Sequence, residues 1–90
     1  MNKRIHLVAK GIVQGVYYRY NTMRMAGEYH VTGWVRNRSD GSVEILCEGT
    51  EENLNRMILW CEKGPAGARV NEIEKQWEEY TGEFKTFEIR

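Results

Sequence analysis

Gly11, Gly15 and Arg19 are the residues of this sequence whose types and spacing suit chemistry. They stand in the run Gly11-Ile12-Val13-Gln14-Gly15-Val16-Tyr17-Tyr18-Arg19, between an alternating segment and one with helical spacing. Glycine allows a sharp loop whose amides turn inward with no Cβ in the way. The amides of Gln14, Gly15, Val16, Tyr17 and Tyr18 then sit at a helix N-terminus, where N–H groups lack partners and the dipole is positive. Such a loop can hold an anion. The Arg19 guanidinium can grip two oxygens of a phosphate or carboxylate at once. No Ser, Cys or His adjoins the run, so it suits binding a phosphoryl group rather than attacking it. The plain alternative is an ordinary strand-to-helix turn with a solvated arginine. No Lys-Ser/Thr pair follows Gly15, which excludes a Walker loop, and Gly-x-x-x-Gly is not the dinucleotide spacing.

The elements that must position this loop follow from periodicity. Residues 4–10 alternate, with Ile5, Leu7 and Ala9 on one face, and predict a strand. Tyr18, Thr22, Met25, Ala26 and Tyr29 form one stripe of a helix over about 17–29. Residues 30–37 and 42–48 predict two strands joined by the Asp40-Gly41 turn, with Asn37 at the approach to that turn. Thr50 is a suitable N-cap for a second helix, whose stripe is Leu54, Met57, Ile58 and Cys61, and Gly64-Pro65 ends it. Residues 69 to about 80 read as a strand in which Val70 and Ile73 share a face only if a β-bulge lies between them. A last strand is predicted over 84–89, with Phe87 and Ile89 facing in. The order is β-α-β-β-α-β plus a short C-terminal strand. Right-handed crossovers then put two helices on one face of a mostly antiparallel sheet, an α+β, ferredoxin-like α/β sandwich. In this plan Asn37 lies on a strand paired beside the first one and comes close to Arg19.

Bulk properties narrow the function classes. Residues 1–90 suit a single domain with one core. Zero formal net charge gives no general support to nucleic-acid or membrane binding. The distribution is uneven: residues 1–38 hold seven Lys/Arg and one acid, residues 39–90 six and twelve. The sheet could either keep or cancel that asymmetry. Cys47 and Cys61 belong to no metal-spaced cluster and are expected as free, buried thiols. There is no signal-peptide h-region or membrane-length apolar run, so a soluble, cytoplasmic protein is expected, and with nothing to suggest an interface it is expected as a monomer. Arg24, Arg36 and Arg38 are expected on the surface, His6 as a surface or helix-covered imidazole, and His30 as a partner of the first helix's C-terminal dipole.

The chain resembles an acylphosphatase in Gly11-x-Val13-Gln14-Gly15-Val16-x-Tyr18-Arg19, Thr22, Ala26, Gly33-Trp34-Val35-Arg36-Asn37 and Asp40-Gly41-Ser42-Val43. The likeness continues in Glu48-Gly49, Gly64-Pro65, Ala68-Arg69-Val70 and Thr81-Gly82-Glu83-Phe84-x-x-Phe87-x-Ile89. It spans nearly the whole chain in order. The resemblance implies hydrolysis of a small acyl phosphate to a carboxylate and inorganic phosphate, which would also inhibit as product, without metal or cofactor. It implies Arg19 and Asn37 as catalytic residues and Gln14 to Tyr18 as the phosphate loop. Tyr17-Tyr18 departs from the family's usual Phe-Phe or Gly-Phe, and His30-Val31 from Gly-Leu. The Tyr17 hydroxyl bears on substrate range. Two rivals use the same fold: an anion-sensing module without turnover, and an RNA-binding domain. The latter needs exposed aromatics on the central strands, where the first strand offers Arg4, His6, Val8 and Lys10 and the third Glu44, Leu46 and Glu48. A larger carbamoyl-phosphate-handling protein with this domain would continue beyond Arg90.

Overall fold

The computed structural model describes residues 1–90. The elements are β1 (Asn2–Ile12), α1 (Tyr18–Glu28), β2 (Thr32–Asn37), β3 (Val43–Thr50), α2 (Glu51–Lys63), β4 (Arg69–Glu78) and β5 (Phe87–Ile89). The sheet order is β4-β1-β3-β2-β5. β1 pairs antiparallel with β3 and β4, β2 antiparallel with β3, and β5 parallel with β2. Ile5, Leu7 and Ala9 of β1, Val35 of β2 and Val43, Ile45 and Cys47 of β3 share a core with Tyr18 and Ala26 of α1 and Leu54, Met57, Ile58 and Cys61 of α2. Those sheet residues all lie on one face, so both helices cover that face, as expected of a ferredoxin-like plan.

Three details differ from the sequence reading. β3, not β2, lies beside β1, because the crossover through α1 leaves one strand position that the returning β3 fills. β2 starts at Thr32, because His30 ends α1 in the left-handed region (φ 55) and the Val31 N–H closes back on the Ala26 carbonyl at 2.8 Å. β5 is confined to its last three residues, with Phe87 half-buried and Ile89 exposed at the sheet edge. The expected bulge in β4 is present: Lys10 pairs with Glu72 and Gly11 with Val70, which leaves Asn71 without a partner on β1.

The other sheet face cancels the charge asymmetry. Arg4 reaches Glu48, Glu78 and Glu83, Lys10 reaches Glu74, and Arg36 reaches Glu44. Glu48 is buried on this face and accepts from the amides of Thr81 (2.9 Å) and Gly82 (3.1 Å). Arg4 Nε lies 3.0 Å from it but out of line for a hydrogen bond, so that contact is an ion pair. Glu48 thereby fastens the segment that carries the chain from β4 to β5. Trp34 also lies on this face, an aromatic on β2 rather than on the first or third strand. Arg36 and Arg90 stack on its ring, with Cζ 5.0 and 5.5 Å from the centroid. Cys47 and Cys61 are free and buried, and burial pushes the Cys61 thiol up to about 12.

Glu44 carries a pH dependence. Burial opposes its charged form, but hydrogen bonds from His6 (2.6 Å) and Arg36 (2.7 Å) outweigh burial and hold its carboxyl below the usual value of 4.5. Its contribution to stability is therefore present above pH 4.5 and lost as the pH falls through the depressed folded value. Urea midpoints measured from neutral pH down to about pH 3 should show Glu44→Gln less stable at neutrality. The two curves should converge in acid.

Candidate active site

β1 leaves the sheet where β4 crowds it. A Cβ on Gly11 (φ 129) would lie 2.1 Å from the Arg69 carbonyl oxygen, so only glycine lets the bulge close there. Buried Val13 then anchors the loop, and Gly15 turns it at φ 77. Tyr17 sits at φ 62, ψ 25, a left-handed conformation that costs a residue with a Cβ roughly 1–2 kcal/mol. Backbone strain of this kind collects at ligand-binding loops.

The two tyrosines part company. Tyr18 is buried, its ring 5.6 Å from that of Trp60, and its hydroxyl donates to the Cys61 carbonyl at 2.7 Å. Burial drives that phenol far above its usual range, so it remains a neutral donor pinning the start of α1 to α2. Tyr17 is 79% exposed, so most of its ring faces solvent at the mouth of the loop.

The first helical closure is from the Asn21 N–H to the Tyr17 carbonyl, at 3.1 Å. No group of the protein accepts from the amides of Gln14 to Tyr17, and Tyr18, as the first helical residue, has no intrahelical acceptor. Arg19 is half-buried in the wall of a cavity of about 360 Å³, together with Val13, Gly15, Tyr17, Tyr18, Tyr20 and Ile89. Arg4, Arg36, Arg56 and Arg90 each pair with a carboxylate, whereas Arg19, Arg24, Arg38 and Arg69 have no such partner, and of these four only Arg19 is half-buried. The structure thus places Gly15, Tyr17 and Tyr18 of the loop and Arg19 around one cavity.

Asn37 ends β2 at the same end of the sheet as the loop. Its row runs Asn37–Val43–Ala9, and by alternation from buried Val35 it faces the helix side. It is exposed and lies outside the cavity lining. No group of three or more His, Cys, Asp or Glu side chains is placed to hold a metal ion.

The sequence reading assigned Gln14 by its amide alone and missed its side chain. Nε2 donates to the Arg38 carbonyl (2.8 Å) and the Ser42 carbonyl (2.9 Å). Ser42 in turn donates its N–H and hydroxyl to Asp40, and these bonds hold that carboxyl below its usual range. Gln14 therefore ties the loop to the turn that begins just after Asn37. A carboxamide between glycines, facing an Asp-Gly-Ser turn, was the available signal. Gln14→Ala keeps the backbone amide but frees loop and turn to drift. Since a misplacement of about 1 Å can cost about 10²-fold, kcat is expected to fall about 10- to 100-fold, more than KM rises, in steady-state kinetics.

The acylphosphatase family model matches residues 5–89. The chain is 52% identical over 89 residues to an acylphosphatase of Pyrobaculum islandicum, covering 98% of this chain and 94% of that one. It is 46% identical over 86 residues to an acylphosphatase of Pelotomaculum thermopropionicum, covering 96% and 94%. The crystal structure of acylphosphatase from Bacillus subtilis superposes with a TM-score of 0.94 at 32% identity, covering 100% of this chain and 99% of that one. By fold and by full-length similarity, the chain belongs to the acylphosphatase family.

Proposed function

We propose that this chain hydrolyses small acyl phosphates to a carboxylate and inorganic phosphate, with phosphate held by Arg19 and the amides of Gln14, Gly15, Val16, Tyr17 and Tyr18. Asn37 orients the attacking water. One observation supports the reading: a loop whose amides from Gln14 to Tyr17 have no acceptor in the protein shares a cavity, through Gly15, Tyr17 and Tyr18, with a half-buried arginine that has no carboxylate partner.

The chemistry needs little beyond this. The water oxygen bonds to phosphorus, the bond from phosphorus to the acyl oxygen breaks, and its electron pair leaves on the carboxylate. A carboxylate is a good leaving group, so no general acid is required. Catalysis then consists of neutralising the phosphoryl oxygens and holding water in line. A neutral carboxamide is a poor base, so the water proton passes to a phosphate oxygen. No step calls on a metal or cofactor.

The same reading takes residues 1–90 as one monomeric, cytoplasmic domain whose product phosphate inhibits competitively and which binds neither nucleic acid nor membrane. The arginine-stacked Trp34 supports the exclusion of RNA, since that ring is already occupied. No helix is long and apolar enough to cross a membrane.

Benzoyl phosphate hydrolysis by purified protein in the presence of a chelator tests the proposal. Turnover with competitive inhibition by phosphate supports it. Phosphate binding without turnover identifies an anion-sensing module instead.

A further inference from the structure

Eight large apolar side chains are exposed on the molecule, and three of them, Tyr17 (79%), Tyr20 (52%) and Ile89 (40%), line the one cavity that holds Arg19. Exposed apolar groups are ordinary when scattered and informative when they converge on a polar site. Each of the three is put there by a separate device. The left-handed backbone at Tyr17 turns its ring outward. Tyr20 follows Arg19 in the first turn of α1. Ile89 is delivered by β5, which pairs in parallel with β2, and the Arg90 N–H seals that edge on the Val35 carbonyl at 2.8 Å.

We infer that Tyr17, Tyr20 and Ile89 form the acyl-side subsite, and that the chain favours acyl phosphates with an aromatic or bulky apolar acyl group over those with a short one. This rests on the proposed hydrolysis and adds a substrate class to it. The division of the cavity is chemical: Gly15 and Arg19 supply N–H donors to the phosphoryl oxygens, while the remaining wall is mostly ring and aliphatic surface. An acetyl group leaves that wall wet, whereas a benzoyl ring covers it.

The test compares kcat/KM for benzoyl phosphate and acetyl phosphate in the parent protein, Ile89→Ser and Tyr17→Gly. Glycine keeps the Tyr17 amide and adopts its backbone conformation without strain. Taking the ratio of the two substrates and comparing it between proteins cancels their different intrinsic reactivity. The benzoyl-to-acetyl ratio should fall about tenfold in each variant, the scale of losing an apolar contact in a pocket. The loss should lie in KM for benzoyl phosphate. A ratio unchanged in both variants, with both substrates hydrolysed, overturns the subsite and leaves acyl phosphate hydrolysis standing. Hydrolysis of neither substrate by the parent protein overturns both.

Discussion

Arg19→Ala is expected to lower kcat/KM for an acyl phosphate by about 10³- to 10⁵-fold, the scale of removing an arginine from a phosphoryl transfer site. That corresponds to about 4–7 kcal/mol of transition-state stabilisation. The expectation follows from the surroundings of this arginine. The cations of the outer sheet face are already paired with carboxylates, whereas Arg19 stands beside the loop amides with none. Its removal leaves the phosphoryl charge to amide dipoles alone. Arg19→Lys restores charge but not the planar fork, so activity should remain at least about 10²-fold down. Because the side chain makes no ion pair within the protein, the urea midpoint of either variant should stay close to that of the parent. Full activity in Arg19→Lys would show that a point charge suffices.

Asn37→Ala is expected to lower kcat by about 10²- to 10³-fold, the effect of deleting one well-placed polar group at a reacting centre. The inhibition constant for inorganic phosphate should change little, because Asn37 lies at the end of β2, outside the cavity lining. Kinetics with phosphate as inhibitor separate the two parameters. Loss of phosphate affinity with kcat retained would assign Asn37 to phosphate rather than water.

How far the site can be read from sequence depends on how local each part is. The loop and Arg19 lie in nine consecutive residues between a strand and a helix, so glycine placement and helix-end physics suffice to assemble them. The β4 bulge was likewise legible, since Val70 and Ile73 cannot share a face without it. Asn37 was placed at the correct end of the sheet from topology, although by way of the wrong neighbouring strand. What could not be read is made of side chains meeting across the chain. Gln14 bonds to carbonyls 24 and 28 positions away, and Glu48 to amides 33 and 34 positions away. Neither contact leaves a periodic trace. Alternation with Phe87 gives Ile89 an inward parity, yet Ile89 is exposed. Parity sets the face of a sheet and not the depth, and at the edge of a three-residue strand that face opens onto the cavity.

The central claim is that phosphate rests on the loop amides with Arg19 across from them. Titrating ¹⁵N-labelled protein with inorganic phosphate and following the backbone amide resonances tests this directly. Saturable shifts should be largest at Gln14 to Tyr18 and disappear in Arg19→Ala. If the loop resonances stay in place at phosphate concentrations that inhibit turnover, or the largest shifts fall elsewhere on the molecule, the phosphate is bound somewhere else and the account is wrong.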